Sequence, residues 1–269
     1  MAANKINDET KRKFLTVYVP DTRGVTVSRY GKGNLKIGMN GVYTYSRLPG
    51  MVKQPALGVA GTVSGIYGHL VAGTCPGATE ECQSICYAAR PVAEQGMVFT
   101  MWQRNSVRDD VPEIPEDCKI LRIHVSGDFN SVEYILNWIK RLNERPDVRA
   151  FAYTRSWRVP ELLPHLETMR AVCGNMQLFA SMDKSTTELP PSGWRRAWIA
   201  DDDRIKAVPN VRTPDLRWID TEESDWHATL TGRPDIAIVC PEETGKKLNC
   251  EQCRFCIDGT KHDVVFLKH

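Results

Sequence analysis

Strand and helix patterns alternate between Lys119 and Met182, and this alternation limits the fold more than any other feature of the sequence. Runs of aliphatic and β-branched residues predict strands, and each run is followed by a stretch with one apolar helical face. Units of strand, helix and strand form parallel sheets with right-handed crossovers, so the carboxyl ends of the strands meet at one edge. The pattern predicts an α/β fold, a parallel sheet or (βα) barrel, with its functional residues at that edge.

The predicted elements cover most of the second half of the chain. Strands are predicted at residues 119–125, 148–154, 176–182, 196–200, 236–239 and 264–267, and helices at 92–107, 132–143 and 160–172. In the second of these helices, the inward face is predicted to carry Ile135, Leu136, Ile139 and Leu142.

The remaining segments have weaker patterns. Two apolar runs at 14–20 and 25–29 predict an N-terminal β hairpin. Residues 31–65 contain many glycines and no helical period, so we expect them to wrap the domain rather than form its core. We therefore divide the chain into N-terminal strands and a wrapping segment (1–65), a core (66–239) and a C-terminal cysteine-rich extension (240–269).

Alternation along the strands predicts which side chains face a pocket. In the first strand Leu121, Ile123 and Val125 share the face expected under the helices, whereas Arg122, His124 and Ser126 share the other. The third predicted strand alternates in the same way, with Gln177, Phe179, Ser181 and Asp183 on one face. The strand ends at Ser126-Gly127-Asp128, at Tyr153 to Ser156 and at Ser181 to Asp183 are therefore candidate site residues.

Cysteines are the one unusual feature of the composition. The chain has nine, and seven of them fall into two groups, whereas Cys118 and Cys173 stand alone in apolar contexts and are expected to be small buried hydrophobic residues. Clustered thiols in a chain without a secretion signal favour metal binding over a disulfide framework.

The first group is Cys75, Cys82 and Cys86, in a loop that begins Thr-Cys-Pro-Gly. Three thiolates fill three positions of a zinc site or of a four-iron cluster and leave one position open. His124 could complete a zinc site here, or it could be a core histidine with no role in a site. Asp128 could act chemically, or it could be the first-turn acid of the helix that follows.

The second group contains four thiols, Cys240, Cys250, Cys253 and Cys256, which suffice to close a site without another ligand. Its CxxCxxC core is typical of an iron–sulfur cluster, with zinc as the alternative metal. A fully ligated centre of this kind would have an auxiliary role in electron transfer or structure.

Composition excludes some classes of function. The formal net charge of +2 gives no basis for bulk nucleic-acid binding, and no apolar run approaches the length of a membrane span. We expect a protein of the reducing cytoplasm. Residues 184–234, rich in Pro, Arg and Trp, are expected to form insertion loops over the mouth of the site, where an arginine–aromatic surface suits a nucleotide or nucleic acid.

Two resemblances follow from these motifs. The motifs CPGAT, CYA, RIHVSGDF and YTRS, together with the C-terminal cysteines, resemble a phage-encoded family known as gene product eighty-eight, which would place the protein in the host cytoplasm. The cysteine loop, the aromatic residue after its last cysteine and the repeated strand–helix units also resemble the radical S-adenosylmethionine superfamily. That resemblance implies a partial (βα) barrel.

The second resemblance implies a chemistry. Cys75, Cys82 and Cys86 would hold a [4Fe-4S] cluster whose open iron binds S-adenosylmethionine, and reduction would release a 5′-deoxyadenosyl radical. Tyr87 would pack near the adenine, and Ser126-Gly127-Asp128 would replace the Gly-Gly-Glu turn that binds the methionine amino group. The cysteine spacing of this chain is wider than the commonest one in that superfamily.

The residue patterns and the resemblances together give the candidate site residues. His124, Asp128, Tyr153 and Arg155 are the catalytic candidates. The candidates for cofactor binding are Tyr87, Ser126, Gly127, Asp128, Ser181 and Asp183. The predicted function is a radical-SAM-like redox enzyme with two [4Fe-4S] clusters, an external electron donor and an unknown substrate. The alternative is a non-enzymatic phage protein, stabilised by iron–sulfur or zinc sites, that binds a host or phage macromolecule.

Overall fold

The computed structural model describes part of the chain. The described residues are 18–20, 29–50, 68–70, 73–88, 96–106, 108–183, 185–200, 211–212, 217–218, 237–243, 245, 247–258 and 263–267. Most of the predicted insertion segment 184–234 lies outside these ranges, as do residues 25–28 of the predicted hairpin.

The described elements are mainly strands joined by short helices. In chain order the strands are β1 (Tyr18–Pro20), β2 (Gly31–Asn34), β3 (Gly38–Tyr45), β4 (Gly68–Leu70), β5 (Ile120–Ile123), β6 (Arg149–Thr154), β7 (Met176–Met182), β8 (Arg195–Ala200), β9 (Val211–Arg212), β10 (Arg217–Trp218), β11 (Ala237–Val239) and β12 (Asp263–Leu267). The helices are α1 (Glu80–Ser84), α2 (Gly96–Ser106), α3 (Val132–Glu144), α4 (Leu163–Val172) and α5 (Cys250–Cys253), with a 3-10 turn at Ser156–Arg158.

Ten of the described strands form one sheet, in the order β2-β3-β5-β6-β7-β8-β12-β11-β10-β9. The seven strands from β3 to β11 in this order are parallel to their neighbours, and the outer pairs are antiparallel. Within the described part of the chain the sheet is open, because β2 and β9 end it without pairing to each other. The expected α/β class with a parallel sheet is confirmed.

Two expectations about the edges of the domain are wrong. Residues 31–65 were expected to wrap the core, but β3 pairs with β5 inside the sheet, and Val42 and Tyr45 are fully buried. The C-terminal segment was expected to be an extension, but β12 lies between β8 and β11. The described part of the predicted hairpin, β1, pairs with β4.

Helix α3 covers one face of the sheet. It begins after Ser131, whose hydroxyl accepts a hydrogen bond from the Tyr134 N–H, as expected for an N-cap. Its buried side chains are Tyr134, Ile135, Trp138 and Leu142. The prediction for Leu136 is wrong: this side chain is 49% exposed, because the aromatic rings at 134 and 138 shift the buried face.

The two faces of the sheet have different cores. Leu121 and Ile123 belong to a large cluster under α3 and α4, as the alternation predicted, and Ala152 lies in the same cluster. The opposite face contains Ile120, Phe151 and Phe179, and it is covered by residues of the C-terminal cysteine segment. No helix in the described ranges is long and apolar enough to cross a membrane.

Candidate functional site

The Cys75 loop lies across the carboxyl ends of the parallel strands. The Cys75 N–H donates to the Gly50 carbonyl at 2.8 Å, after the end of β3. Arg158, after β6, donates to the Gly77 carbonyl at 3.1 Å. Thr79 donates through its hydroxyl to Asp183, after β7, at 2.7 Å. The loop is therefore held by the ends of three strands.

A single turn of helix brings the second cysteine into position. Thr79 is the N-cap of α1, and its hydroxyl accepts a hydrogen bond from the Cys82 N–H at 2.9 Å. The same hydroxyl donates to Asp183, so one threonine orients both the helix and its attachment to the sheet. The helix lies within the cysteine loop, between Cys75 and Cys86.

The three thiols of the loop lie in one electrostatic environment. Burial raises the pKa of Cys75 well above its ordinary value, and negative charge on Asp128, Cys82 and Cys86 raises it further. A hydrogen bond from Gly50 opposes this rise. Burial also raises the pKa of Cys82, whereas the charge of Arg155 and a hydrogen bond from it lower it. Protein donors thus reach two of the three sulfurs and favour their thiolate forms.

Asp128 joins the turn after β5 to the end of β6. Its Oδ1 accepts from the Thr154 hydroxyl at 2.5 Å and the Phe129 N–H at 2.8 Å, and its Oδ2 accepts from the Arg155 N–H at 2.7 Å. Burial raises the pKa of Asp128 to about 6, although these hydrogen bonds lower it. Asp128 is not a first-turn acid, because α3 begins at Val132. Both carboxylate oxygens already have protein donors.

Arg155 and Asp183 form a buried ion pair beneath the loop. Arg155 Nη2 lies 2.8 Å from Asp183 Oδ2, and both side chains are at most 5% exposed. Burial raises the pKa of Asp183, but Arg155 together with hydrogen bonds from Ser185, Thr79 and Thr186 lowers it below the usual value. The pair therefore stays charged at neutral pH and places the guanidinium beside Cys82.

His124 faces the helix layer, so its predicted position in the pocket is wrong. Its Nε2 lies 2.9 Å from the Tyr134 hydroxyl, and its ring makes an edge contact with Phe129. The backbone of His124 has φ of 64°, which breaks the alternation after Ile123. Val125 consequently packs with the opposite face. Burial lowers the pKa of His124 well below its ordinary value, as expected for a neutral core histidine.

The other assigned residues are divided between the two thiol groups. Ser126 is buried, and its carbonyl accepts from the Arg47 N–H. The exposed Tyr87 donates through its hydroxyl to the Val125 carbonyl at 2.6 Å. The Ser181 carbonyl accepts from Trp157 at 3.4 Å. Tyr153 packs against Phe179 and Phe266 on the face that carries the second group.

The second thiol group is attached to the start of the sheet. The Cys250 and Glu251 N–H groups donate to the Lys36 and Ile37 carbonyls at 2.9 and 2.8 Å. Helix α5 begins after Asn249, whose side chain accepts from the Gln252 N–H, and it ends at Arg254 in the left-handed conformation. Cys240 and Cys256 are buried in the cluster on this face.

Hydrogen-bond donors reach the sulfurs of this group as well. Burial raises the pKa of Cys240 to about 12, and hydrogen bonds from the Glu243 and Glu242 backbones oppose the rise. Burial likewise raises the pKa of Cys256 to about 12, opposed by a hydrogen bond from Tyr153 and by the charge of Arg195. The charges of Cys250 and Cys253 raise the pKa of Cys256 further. All nine cysteines are free.

Sequence reasoning missed several polar residues around this group. The ligand atoms of Cys240, Glu242 and Glu243 lie within 4.8 Å of one another, and Lys36 lies 2.8 Å from Glu243 and 3.2 Å from Glu242. The two glutamates follow Cys240 almost directly in the sequence, which is a signal that could have found them. Lys36 is distant in sequence, and no local pattern points to it.

Comparison with known proteins places the chain in a family. The profile described as Gene product 88 matches residues 49–259, a range that includes both thiol groups. The chain belongs to the gene product 88 family. It is 26% identical to the Gene 88 protein of Mycobacterium phage L5 over 220 residues, which cover 72% of this chain and 81% of that protein.

A second relative gives the same result. The Gene 88 protein of Mycobacterium phage D29 is 24% identical over 221 residues, with 72% of this chain and 81% of that protein covered. Both relatives are phage proteins, which supports the expected bacteriophage origin. No solved structure matches this chain. The expected family is confirmed, and these names state no activity.

Substituting Gly127 tests the attachment of the loop. Gly127 has φ of 77°, and a Cβ at this position would lie 2.6 Å from Thr74 Oγ1 and from Arg47 Cβ. We expect Gly127→Ala to lower the free energy of unfolding by about 3 kcal/mol, because left-handed strain adds to the overlap. Gly193→Ala is the control, since it has φ of 85° but only ordinary contacts. Equal losses in urea denaturation would contradict the proposed packing.

Removing the charge of Asp183 tests the buried ion pair. Asp183→Asn should cost about 3–5 kcal/mol of stability, because Arg155 would keep an unpaired buried charge. The pair of Asp147 with Arg145 provides the control, and Asp147→Asn should cost far less stability, because the Asp147 carboxylate is exposed to solvent. Because the pKa of Asp183 is lowered in the folded protein, its contribution should be present above about pH 4 and lost at lower pH. Similar effects of the two variants at pH 7 would refute this account.

Proposed function

We propose that the protein is an iron–sulfur redox protein. In this proposal the Cys75, Cys82 and Cys86 thiols hold a [4Fe-4S] cluster with one open iron, and the C-terminal group holds a second, fully ligated cluster. The observation that carries the proposal is the attachment of a three-thiol loop to the ends of strands β3, β6 and β7, above a buried ion pair. A loop that only connected elements would not require this attachment.

The surroundings of the sulfurs support metal binding. Backbone or side-chain donors reach Cys75, Cys82, Cys240 and Cys256. Such hydrogen bonds stabilise thiolates, and they tune the affinity and reduction potential of thiolate-bound metals. The donor set therefore fits a cluster. Zinc bound to the closed C-terminal group is the alternative for that site.

The proposed enzyme class is radical-SAM-like. The seven parallel strands are proposed as the counterpart of an incomplete barrel, with the open cluster at their carboxyl ends. A reduced cluster bound to S-adenosylmethionine would supply the reductive cleavage that starts radical chemistry. In this proposal Tyr87, which is 52% exposed beside the cysteine loop, offers a ring for adenine packing.

The other site residues have supporting roles. In this proposal the charge of Arg155 and its hydrogen bond oppose the effect of burial, which raises the pKa of Cys82. Asp128 positions the strand ends rather than binding the methionine amino group, because its oxygens are occupied. His124 belongs to the core. An external electron donor and a reducing compartment, the host cytoplasm, complete the proposal.

Metal analysis tests the proposal. We expect protein purified without oxygen to be brown and to contain iron and acid-labile sulfide in equal amounts, at about eight of each per chain if both clusters are [4Fe-4S]. Stoichiometric zinc without sulfide would contradict the iron assignment and show that the protein binds zinc instead. Protein that binds neither metal after reconstitution would end the proposal.

Cysteine variants test the ligand assignment. Cys82→Ala and Cys256→Ala should each remove the metal of one group only, because each takes a thiolate from one site. Cys118→Ala is the matched control: Cys118 is buried but lies in neither group, so this variant should keep all its metal. Full metal content in Cys82→Ala would contradict the assignment.

The radical chemistry needs a test of its own. Reduction with dithionite in the presence of S-adenosylmethionine should yield 5′-deoxyadenosine with the unaltered protein and none with Cys82→Ala. A cluster-loaded protein that forms no 5′-deoxyadenosine would favour the alternative function, a metal-stabilised phage protein that binds a macromolecule.

A further inference from the structure

Arg122 lies between the two thiol groups. It stands on the strand face opposite the helices, and its Nη2 is 3.4 Å from the hydroxyl of Tyr87, which follows the last cysteine of the first group. Its guanidinium is 5.4 Å from the centre of the Tyr153 ring, and Tyr153 contacts Cys256 of the second group. One arginine thus connects residues that adjoin both groups.

The charge of Arg122 has no carboxylate partner. Among the described residues no Asp or Glu oxygen forms an ion pair with it, and its Nε is buried without a hydrogen-bond acceptor. The buried arginines Arg47 and Arg155 differ, since Arg47 pairs with Asp109 and Arg155 with Asp183. Arg122 is half-buried, and a cation that is partly withdrawn from water is stabilised by an anion beside it. Arg122 therefore calls for an anion close by.

The C-terminal thiols can supply that anion. Cys256 belongs to the cluster on the sheet face that carries Arg122, and both Cys250 and Tyr153 pack against that cluster. The ring of Tyr153 lies 5.4 Å from the guanidinium of Arg122. Neutral thiols would leave the guanidinium uncompensated. Four thiolates around one divalent metal carry a net charge of about −2. A metal-loaded C-terminal group is thus the anion that this position requires.

We infer that Arg122 is the counter-cation of the metal centre formed by Cys240, Cys250, Cys253 and Cys256. This inference rests on the proposed function and extends it to a residue that is not a metal ligand. Arg122 is a positioning residue: it stabilises the thiolates of the loaded group. Through Tyr87 it also connects that group with the Cys75 loop.

Cobalt(II) is a suitable probe, because its visible absorption reports thiolate ligands. The experiment uses the full chain with Cys75, Cys82 and Cys86 changed to Ala, so that only the C-terminal group binds the ion. Competition with a chelator gives the affinity. We expect Arg122→Met to weaken cobalt binding by about 10- to 100-fold, the usual effect of losing an outer-shell partner. Arg122→Lys should recover most of this loss, since it keeps the charge.

Arg254→Met is the matched control. Arg254 lies between Cys253 and Cys256 in the sequence, but it is exposed and paired with Asp258 at 2.6 Å. We expect less than about a threefold change in affinity, because an exposed charge is screened by solvent. The pH of half-maximal loading gives a second readout. It should rise in Arg122→Met, which loses a cation on the face that carries the thiolates, and stay constant in Arg254→Met, where the lost cation is exposed to solvent.

The outcomes separate this inference from the proposed function. Equal cobalt affinity and equal pH dependence in Arg122→Met and Arg254→Met would overturn the inference while leaving the metal site intact. No cobalt binding by the triple-alanine background would overturn the metal site and the inference together. If Arg122→Met does not fold, as judged by circular dichroism, Arg122→Gln and Arg122→Lys provide the test, and equal affinities of these two would contradict a role for the charge.

Discussion

The buried ion pair between Arg155 and Asp183 is the contact on which the first thiol group depends. It ties the end of β6 to the end of β7. The carboxylate of Asp183 accepts a hydrogen bond from Thr79, and the guanidinium of Arg155 acts on Cys82. Taking these charges out of water is costly, so the pair is stable only because hydrogen bonds from Thr79, Ser185 and Thr186 complete the carboxylate shell. Much of the polar network at the strand ends serves this purpose.

In the second thiol group, too, buried charges need partners, and here the charges are those of the thiolates. Here burial works against the thiolates, and the compensation comes from backbone N–H groups, Tyr153 and arginines that are distant in sequence. Segments that are far apart in the sequence meet at this group. The carbonyls of Lys36 and Ile37 accept hydrogen bonds from the first residues of α5, and β12 lies between β8 and β11 in the sheet. The C-terminal cysteines are therefore part of the domain core rather than a separate attachment.

The sequence was a good guide where local pattern and long-range packing agree. The helix at Val132 and the strand at Met176–Met182 were predicted closely, because their apolar periodicity is also the pattern of their burial. The grouping of Asp128, Arg155 and Asp183 near the Cys75 loop also follows from parallel strands that share one edge. These residues were found because each follows a strand directly.

The failures have physical causes that the sequence does not display. A single left-handed residue, His124, reverses the alternation and exchanges the faces of His124 and Val125. Strand β3 was missed because its first half contains Gly38 and Gly41, both with positive φ, before the apolar run begins. The partners of Lys36 and Arg122 come from distant segments, and only the assembled sheet brings them together.

The central claim is that both thiol groups bind metal through sulfur. X-ray absorption spectroscopy at the iron and zinc edges of the purified protein tests it most directly. The account predicts a first coordination shell dominated by sulfur, at about 2.3 Å for either metal, with a short iron–iron distance wherever a cluster is present. A shell of oxygen and nitrogen alone, or a protein that takes up no metal, would contradict it.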